Sequence, residues 1–281
     1  MTIVHAYIAV AISSGLSFLG CTFIISVYYK YKQLQGPAYK LISILSIIDI
    51  FRCFVFLIPT YGGAGDSPLC ICQAIAITIF TLASILWTSV ISIFLYITVV
   101  KKKIYEKQIP LALGICILIS LLASFIPLIN DDFDEYAISM GWCWIKNKDL
   151  KFFILYFPLW IVVILNTTIY MILIKHIRFE SHLHPELHDL GLSVIRKLRM
   201  YPVLLIVSFL PAGILRSMQF FGASTSENFL IVAGAFACLN GFFNAIVYGC
   251  TQNVRFALTG RNVINSKESL LSNSSKGISF G

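Results

Sequence analysis

Seven long, uninterrupted apolar runs occupy the chain at Val4–Tyr29, Leu41–Pro59, Ile71–Val100, Ile109–Ile129, Phe152–Ile174, Tyr201–Phe220 and Phe229–Cys250. A span needs about 20 mostly apolar residues to cross the hydrocarbon core of a bilayer. There only helices and closed barrels satisfy their own backbone groups, and these runs lack the alternation of barrel strands. The sequence therefore predicts an all-α fold, a bundle of seven transmembrane helices. With 58% hydrophobic and 12% charged residues and a mean hydropathy of +0.85, the chain has too few polar side chains to cover a soluble domain.

The Lys and Arg residues set the orientation. Lys30, Lys32 and Lys40 follow span one, Lys101, Lys102, Lys103 and Lys107 follow span three, and Lys175, Arg178, Arg196, Lys197 and Arg199 follow span five. Arg255, Arg261, Lys267 and Lys276 lie in the tail, whereas the opposite side holds Lys146, Lys148 and Lys151. Arg52 and Arg216 fall within spans. The positive-inside rule then places the N-terminus outside and the C-terminus in the cytoplasm, as in a multi-pass protein of the plasma membrane. The formal charge of +8 sits in loops at the bilayer surface and gives no reason to expect nucleic acid as a partner. Span one is too long for a cleavable signal, lacks a basic leader, and is expected to direct its own insertion.

The chain reads as one transmembrane domain over 1–250, followed by a tail over 251–281. Asn253, Arg255, Phe256 and Leu258 suit a short interfacial helix, and the Ser/Asn-rich segment Ser266–Gly281 is expected to be disordered. Cys70, at the outer end of span three, and Cys143, in the outer loop after span four, lie where oxidation is allowed. These two are expected to be bridged, with Cys72 as the alternative partner on the same helix end. Cys21, Cys53, Cys116, Cys238 and Cys250 read as apolar packing residues.

Ionisable groups inside spans are the sharpest pointers, because each costs roughly 2.5–3.5 kcal/mol at a helix centre. At about 1.5 Å per residue from Lys40, Asp49 lies roughly 14 Å and Arg52 roughly 18 Å from the inner surface. One turn apart, they are placed to pair. Asn240 and Asn244 of span seven bracket the depth of Asp49, so a polar network of Asp49, Arg52, Asn240 and Asn244 linking spans two and seven is expected. The plainer role for such a network is to fix helix packing. Arg216 lies about 26 Å above Arg199 by the same rise. It either snorkels at the boundary or meets an anion at an outer cup. Pro59, Pro127, Pro158, Pro202 and Pro211 mark places where spans are able to bend. Span six holds two of them above the basic run Arg196, Lys197 and Arg199, an arrangement suited either to a static kink or to a lever facing a cytoplasmic partner.

Particular stretches carry a resemblance. Cys70 followed by Leu86-Trp87-Thr88, then Trp142-Cys143-Trp144-Ile145, Phe157-Pro158, Lys197-Leu198 leading to Arg216, and Gly241-Phe242 before Tyr248 resemble the slime-mould cyclic-AMP receptors among G-protein-coupled receptors. The likeness implies an extracellular ligand, a heterotrimeric G protein at the inner face, and a bridge at the Cys70 and Cys143 positions. It also implies that Arg216 matches an arginine near the outer end of span six. Span three ends in Val99-Val100-Lys101 and span seven reads Asn244-Ala245-Ile246-Val247-Tyr248, neither of which is the rhodopsin-like pattern.

The resulting expectation is a receptor, not an enzyme, that binds a small anionic extracellular ligand without a cofactor. Arg216, Arg52 and the group Lys146, Lys148 and Lys151 are placed to meet an anion, and Trp142 or Trp144 to stack on it. Lys101, Lys102, Lys103, Arg196, Lys197 and Arg199 are expected to face the G protein. A retinal protein needs a lysine in the last span, and Phe229–Cys250 has none. Four of the five His lie at His176–His188, which reads as a solvated inner loop and not as a metal site. A small-solute transporter is the alternative, although no inverted repeat is visible.

Overall fold

The computed structural model describes residues 2–58, 68–103, 105–129, 133–134, 142–183 and 200–259. Span one is the helix Thr2–Lys30, span two Pro37–Leu57, span three Pro68–Val100 and span four Ile109–Ile129. Span six is Met200–Phe220, and a last short helix, Gln252–Thr259, follows span seven. Among the described residues, five helices are long and apolar enough to cross a membrane, and the two pieces of span seven together make a sixth. Span two carries Lys40, Asp49 and Arg52 within its 21 residues. Its place in the bundle rests on burying the last two, which are 0% and 2% exposed.

Span one packs on spans two and seven, span three on spans two, four, five and six, and span six on span seven. Span three is the central post. Its Trp87 is fully buried and donates its indole N–H to the Leu41 carbonyl at 2.9 Å, locking spans two and three together. The Leu86-Trp87-Thr88 triplet thus has a packing role. Outward-facing Leu, Ile and Phe side chains on spans one, four and five form the apolar surface a lipid environment requires.

Two spans depart from simple helices. Span five begins as a short helix Lys148–Lys151, passes through a π-helical turn Phe152–Tyr156 and continues as Phe157–Leu183. Pro158 has no N–H to return to the preceding turn, and a widened turn accommodates that loss. Span seven consists of Glu227–Cys238 and Asn240–Gly249, bent by 44°. No proline lies there. Instead Ser17 of span one inserts into the helical ladder, its hydroxyl donating to the Cys238 carbonyl and accepting the Phe242 N–H at 3.1 Å. An uninterrupted helix would join those two backbone groups directly. Spans four and six, by contrast, run helical through Pro127 and Pro211; Pro59 lies outside the described residues.

Close contact maintains the bend. A Cβ added at Gly241 would collide with the Cys21 sulfur and approach Ser17, and one added at Gly20 would come within 2.9 Å of the Ala245 Cβ. Ser17→Ala leaves the Cys238 carbonyl and Phe242 N–H without their buried partner and is expected to cost about 1–3 kcal/mol. Gly241→Val, which overpacks the same seam, should cost at least as much. Thermal unfolding of the purified variants in detergent checks both; unchanged midpoints would mean that the seam is not tightly packed.

Candidate functional site

At the outer end, a disulfide joins Cys70 to Cys143, with Cα atoms 5.2 Å apart. This is the expected bridge, and Cys72 is free. Gln73, one turn below Cys70, organises the surrounding chain. Its amide nitrogen donates to the Val55 and Ile58 carbonyls at 3.1 and 2.8 Å, while its amide oxygen accepts the Cys143 N–H at 2.9 Å. One buried side chain thus ties the end of span two, span three and the outer loop together. Sequence reasoning passed over Gln73, although a buried amide one turn from a bridging cysteine is a readable signal. Beyond the bridge, Trp144 and Ile145 form strand β2, antiparallel to β1 at Phe133–Asp134, with Asp134 opposite Trp144.

Beneath this lid lies a small cavity that is open on one side. Its wall is largely apolar, with Ile77, Ile85, Phe209, Leu215 and Leu230 among the lining residues. Trp142, Trp144, Tyr156 and Arg216 border it as well, and so does Arg52. The described lining contains no carboxylate.

Arg216 lies over the Trp144 ring at 5.1 Å and donates to the Gln219 side-chain oxygen at 2.7 Å. Gln219 in turn donates to Thr225 at 3.0 Å. The Lys151 ammonium lies over the same Trp144 ring at 4.9 Å. Lys151 is buried, and among the described residues neither Lys151 nor Arg216 has a salt-bridge partner. Arg216 carries a permanent charge over this ring in largely apolar surroundings, where an added anion would be stabilising. Of the three outer-loop lysines, Lys146 and Lys148 are exposed, Lys151 is buried against Trp144, and none of the three lines the cavity. The reason is local: Asn147 caps the helix Lys148–Lys151 by accepting the Asp149 and Leu150 N–H groups, and that turn directs Lys151 inward.

Toward the bundle centre, Arg52 Nη2 lies 3.3 Å from Asp49 Oδ1. Asp49 also accepts from Ser84 of span three and Asn240 of span seven, each at 2.9 Å. Asn240 supplies the span-seven contact; Asn244 is buried and does not bond Asp49 among the described residues. Ser84 completes the network from a position that sequence reasoning had no cause to single out among the many serines. The Arg52 guanidinium lies 5.3 Å from the centre of the Phe209 ring of span six.

Lys101, Lys102 and Lys103 are exposed at the inner end of span three. Arg196, Lys197 and Arg199 fall outside the described residues. Among the described residues, no group of three His, Cys, Asp or Glu side chains is disposed to hold a metal.

A seven-helix bundle with a bridged outer loop over a cationic cavity has the architecture of a G-protein-coupled receptor. The fold aligns with that of squid rhodopsin at a TM-score of 0.71, covering 93% of this chain and 86% of that one at 17% sequence identity. The chain belongs to the slime mold cyclic AMP receptor family, whose model matches residues 2–266. It is 29% identical to G-protein coupled receptor 1 of Arabidopsis thaliana, over 89% of this chain and 79% of that protein. It is also 28% identical to cyclic AMP receptor-like protein A of Dictyostelium discoideum, over 85% of this chain. The match spans 63% of that second relative.

The buried ion pair generates a stability prediction. Asp49→Ala strands the Arg52 charge and should destabilise the protein by about 3–5 kcal/mol, whereas the neutral pair Asp49→Asn with Arg52→Gln should recover most of that loss. Unfolding of the single and double variants in detergent measures the difference, and an Asp49→Ala protein as stable as the parent would exclude a structural role for the pair.

Proposed function

We propose that this chain is a plasma-membrane receptor that binds a small anionic extracellular ligand in the outer cavity and activates a heterotrimeric G protein. The observation that carries the reading is the pairing of Arg216 and Lys151 on Trp144, with no carboxylate in the described lining. Membership of a cyclic AMP receptor family makes a nucleotide-like phosphate a natural candidate. The receptor unit covers residues 1–250. The helix Gln252–Thr259 lies at the inner bilayer surface, and the remaining tail is cytoplasmic.

Ligand action requires that the open state bind the ligand better than the closed one. Span six is suited to report that difference, because Arg216 near its outer end and Phe209 farther in both border the cavity. A shift of this helix moves its inner end, where the basic run Arg196, Lys197 and Arg199, with Lys101, Lys102 and Lys103 of span three, meets the G protein. Cys70 and Cys143 hold the lid in place, and the network around Asp49 holds spans two, three and seven as a frame against which span six moves.

Arg216→Ala is expected to weaken binding of an anionic ligand such as cyclic AMP by about 2–5 kcal/mol, the scale for truncating one partner of a buried charge contact. Arg216→Lys should recover only part of that, because an ammonium lacks the forked donor geometry. Equilibrium binding at equal surface density decides, and unchanged affinity in Arg216→Ala would remove the anion site. Reversing Arg196, Lys197 and Arg199 to Glu should abolish G-protein activation while ligand binding persists; intact activation would assign coupling to another surface.

A further inference from the structure

Three helix faces wall the outer cavity, and their side chains set what it is able to hold. Span three contributes Ile77 and Ile85, and span six contributes Phe209 and Leu215. Span seven contributes Ala233, Gly234 and Ala237, which recur at helical spacing on one face of its outer piece. These three are the smallest residues of the lining, and they leave the room opposite the larger side chains of spans three and six. The result is a dry shaft between the three spans.

Charge is available to a guest at one end of this shaft. Arg216 is half-buried, gives one hydrogen bond to Gln219, and has no salt-bridge partner among the described residues. A guanidinium has five N–H donors, so others remain for an acidic group. Arg52, at the inner end, is already neutralised by Asp49 and is buried. Phe209 and Arg216 are seven residues apart on one continuous helix, about 10 Å along its axis. Among the described residues, the side-chain oxygens of the lining are the hydroxyls of Thr81 and Tyr156. A guest carrying several hydroxyls or ring nitrogens would bury polar groups that two hydroxyls cannot match, whereas each methylene placed there is removed from water.

We infer that the ligand is a small organic acid with an apolar body. Its acidic group binds Arg216, and its aliphatic or aromatic body fills the shaft between spans three, six and seven. Selection among acids then follows from desolvation: a sugar phosphate or nucleotide satisfies Arg216 equally well but leaves its other polar groups unmatched against this wall. The body rests on Phe209 and Leu215, so it bears on the helix that also carries the anion contact. The proposal rests on the anion-site reading above and adds the chemistry of the rest of the ligand.

Four acids separate the two ideas when titrated calorimetrically into the full chain in lipid nanodiscs, with the heats of empty nanodiscs subtracted: butanoate, hexanoate, gluconate and cyclic AMP. Hexanoate is expected to bind on the order of ten-fold more tightly than butanoate, the gain from burying two methylenes. It should exceed gluconate, a six-carbon acid bearing hydroxyls, by at least as much, and should also exceed cyclic AMP. Ala233→Leu fills the shaft, so in that variant the ratio of hexanoate to butanoate affinity should fall toward one; Ala237→Leu, on the same face, serves if the first does not fold. Arg216→Gln should weaken all four acids. If the acids bind through Arg216 but hexanoate has no advantage over butanoate, gluconate or cyclic AMP, or a folded shaft-filling variant keeps the full ratio, the inference is overturned and the anion site stands. If no acid binds, or Arg216→Gln leaves binding unchanged, the anion site and the inference fall together.

Discussion

A carboxylate at the centre of an apolar bundle must be fully satisfied, and much of this molecule is arranged around that requirement. Asp49 has no exposure and takes hydrogen bonds from Ser84 and Asn240 as well as the charge of Arg52. Those partners come from three different spans, so placing the carboxylate fixes spans two, three and seven relative to one another. Arg52 extends the arrangement to span six through the Phe209 ring. Removing one member of such a set leaves the others buried and unmatched, which is why it constrains the fold more than its few contacts suggest.

The same logic explains the outer end and the bend of span seven. Gln73 spends both ends of its amide on backbone groups from span two and the outer loop, next to the Cys70–Cys143 bridge. Ser17 repairs the ladder it interrupts by bonding both separated groups. In each case a side chain far away in sequence satisfies backbone that would otherwise be orphaned in hydrocarbon. Not every buried polar group is satisfied: among the described residues, side-chain nitrogens of Arg52, Trp142 and Trp144 have no hydrogen-bond partner, and neither do polar atoms of Asn166 and Ser208 away from the outer cavity.

The spans were legible in the sequence because bilayer thickness imposes length and composition on each element separately. The proximity of Asp49 and Arg52 was legible too, since one helical turn brings them together. Other features were not, for identifiable reasons. The break in span seven is caused by Ser17, 221 residues away from Cys238, and leaves no proline as a local mark. Lys151, and not Lys146 or Lys148, turns toward Trp144 because of an Asn147 cap over a four-residue helix, a detail of register that charge counting does not reach. Ser84 looks like any other serine until span three is rotated against Asp49.

In the proposed function, an acidic ligand captured at the outer end changes the inner face without itself crossing the membrane. Energy transfer between labelled Gα and Gβγ, recorded in cells expressing this chain while small acidic compounds including cyclic AMP are applied outside, tests it directly. An acidic compound is expected to drive G-protein dissociation, Arg216→Ala to abolish the response at that dose, and the radiolabelled compound not to accumulate in the cell. Accumulation of the compound inside, with no G-protein dissociation, would contradict it and mark the protein as a transporter.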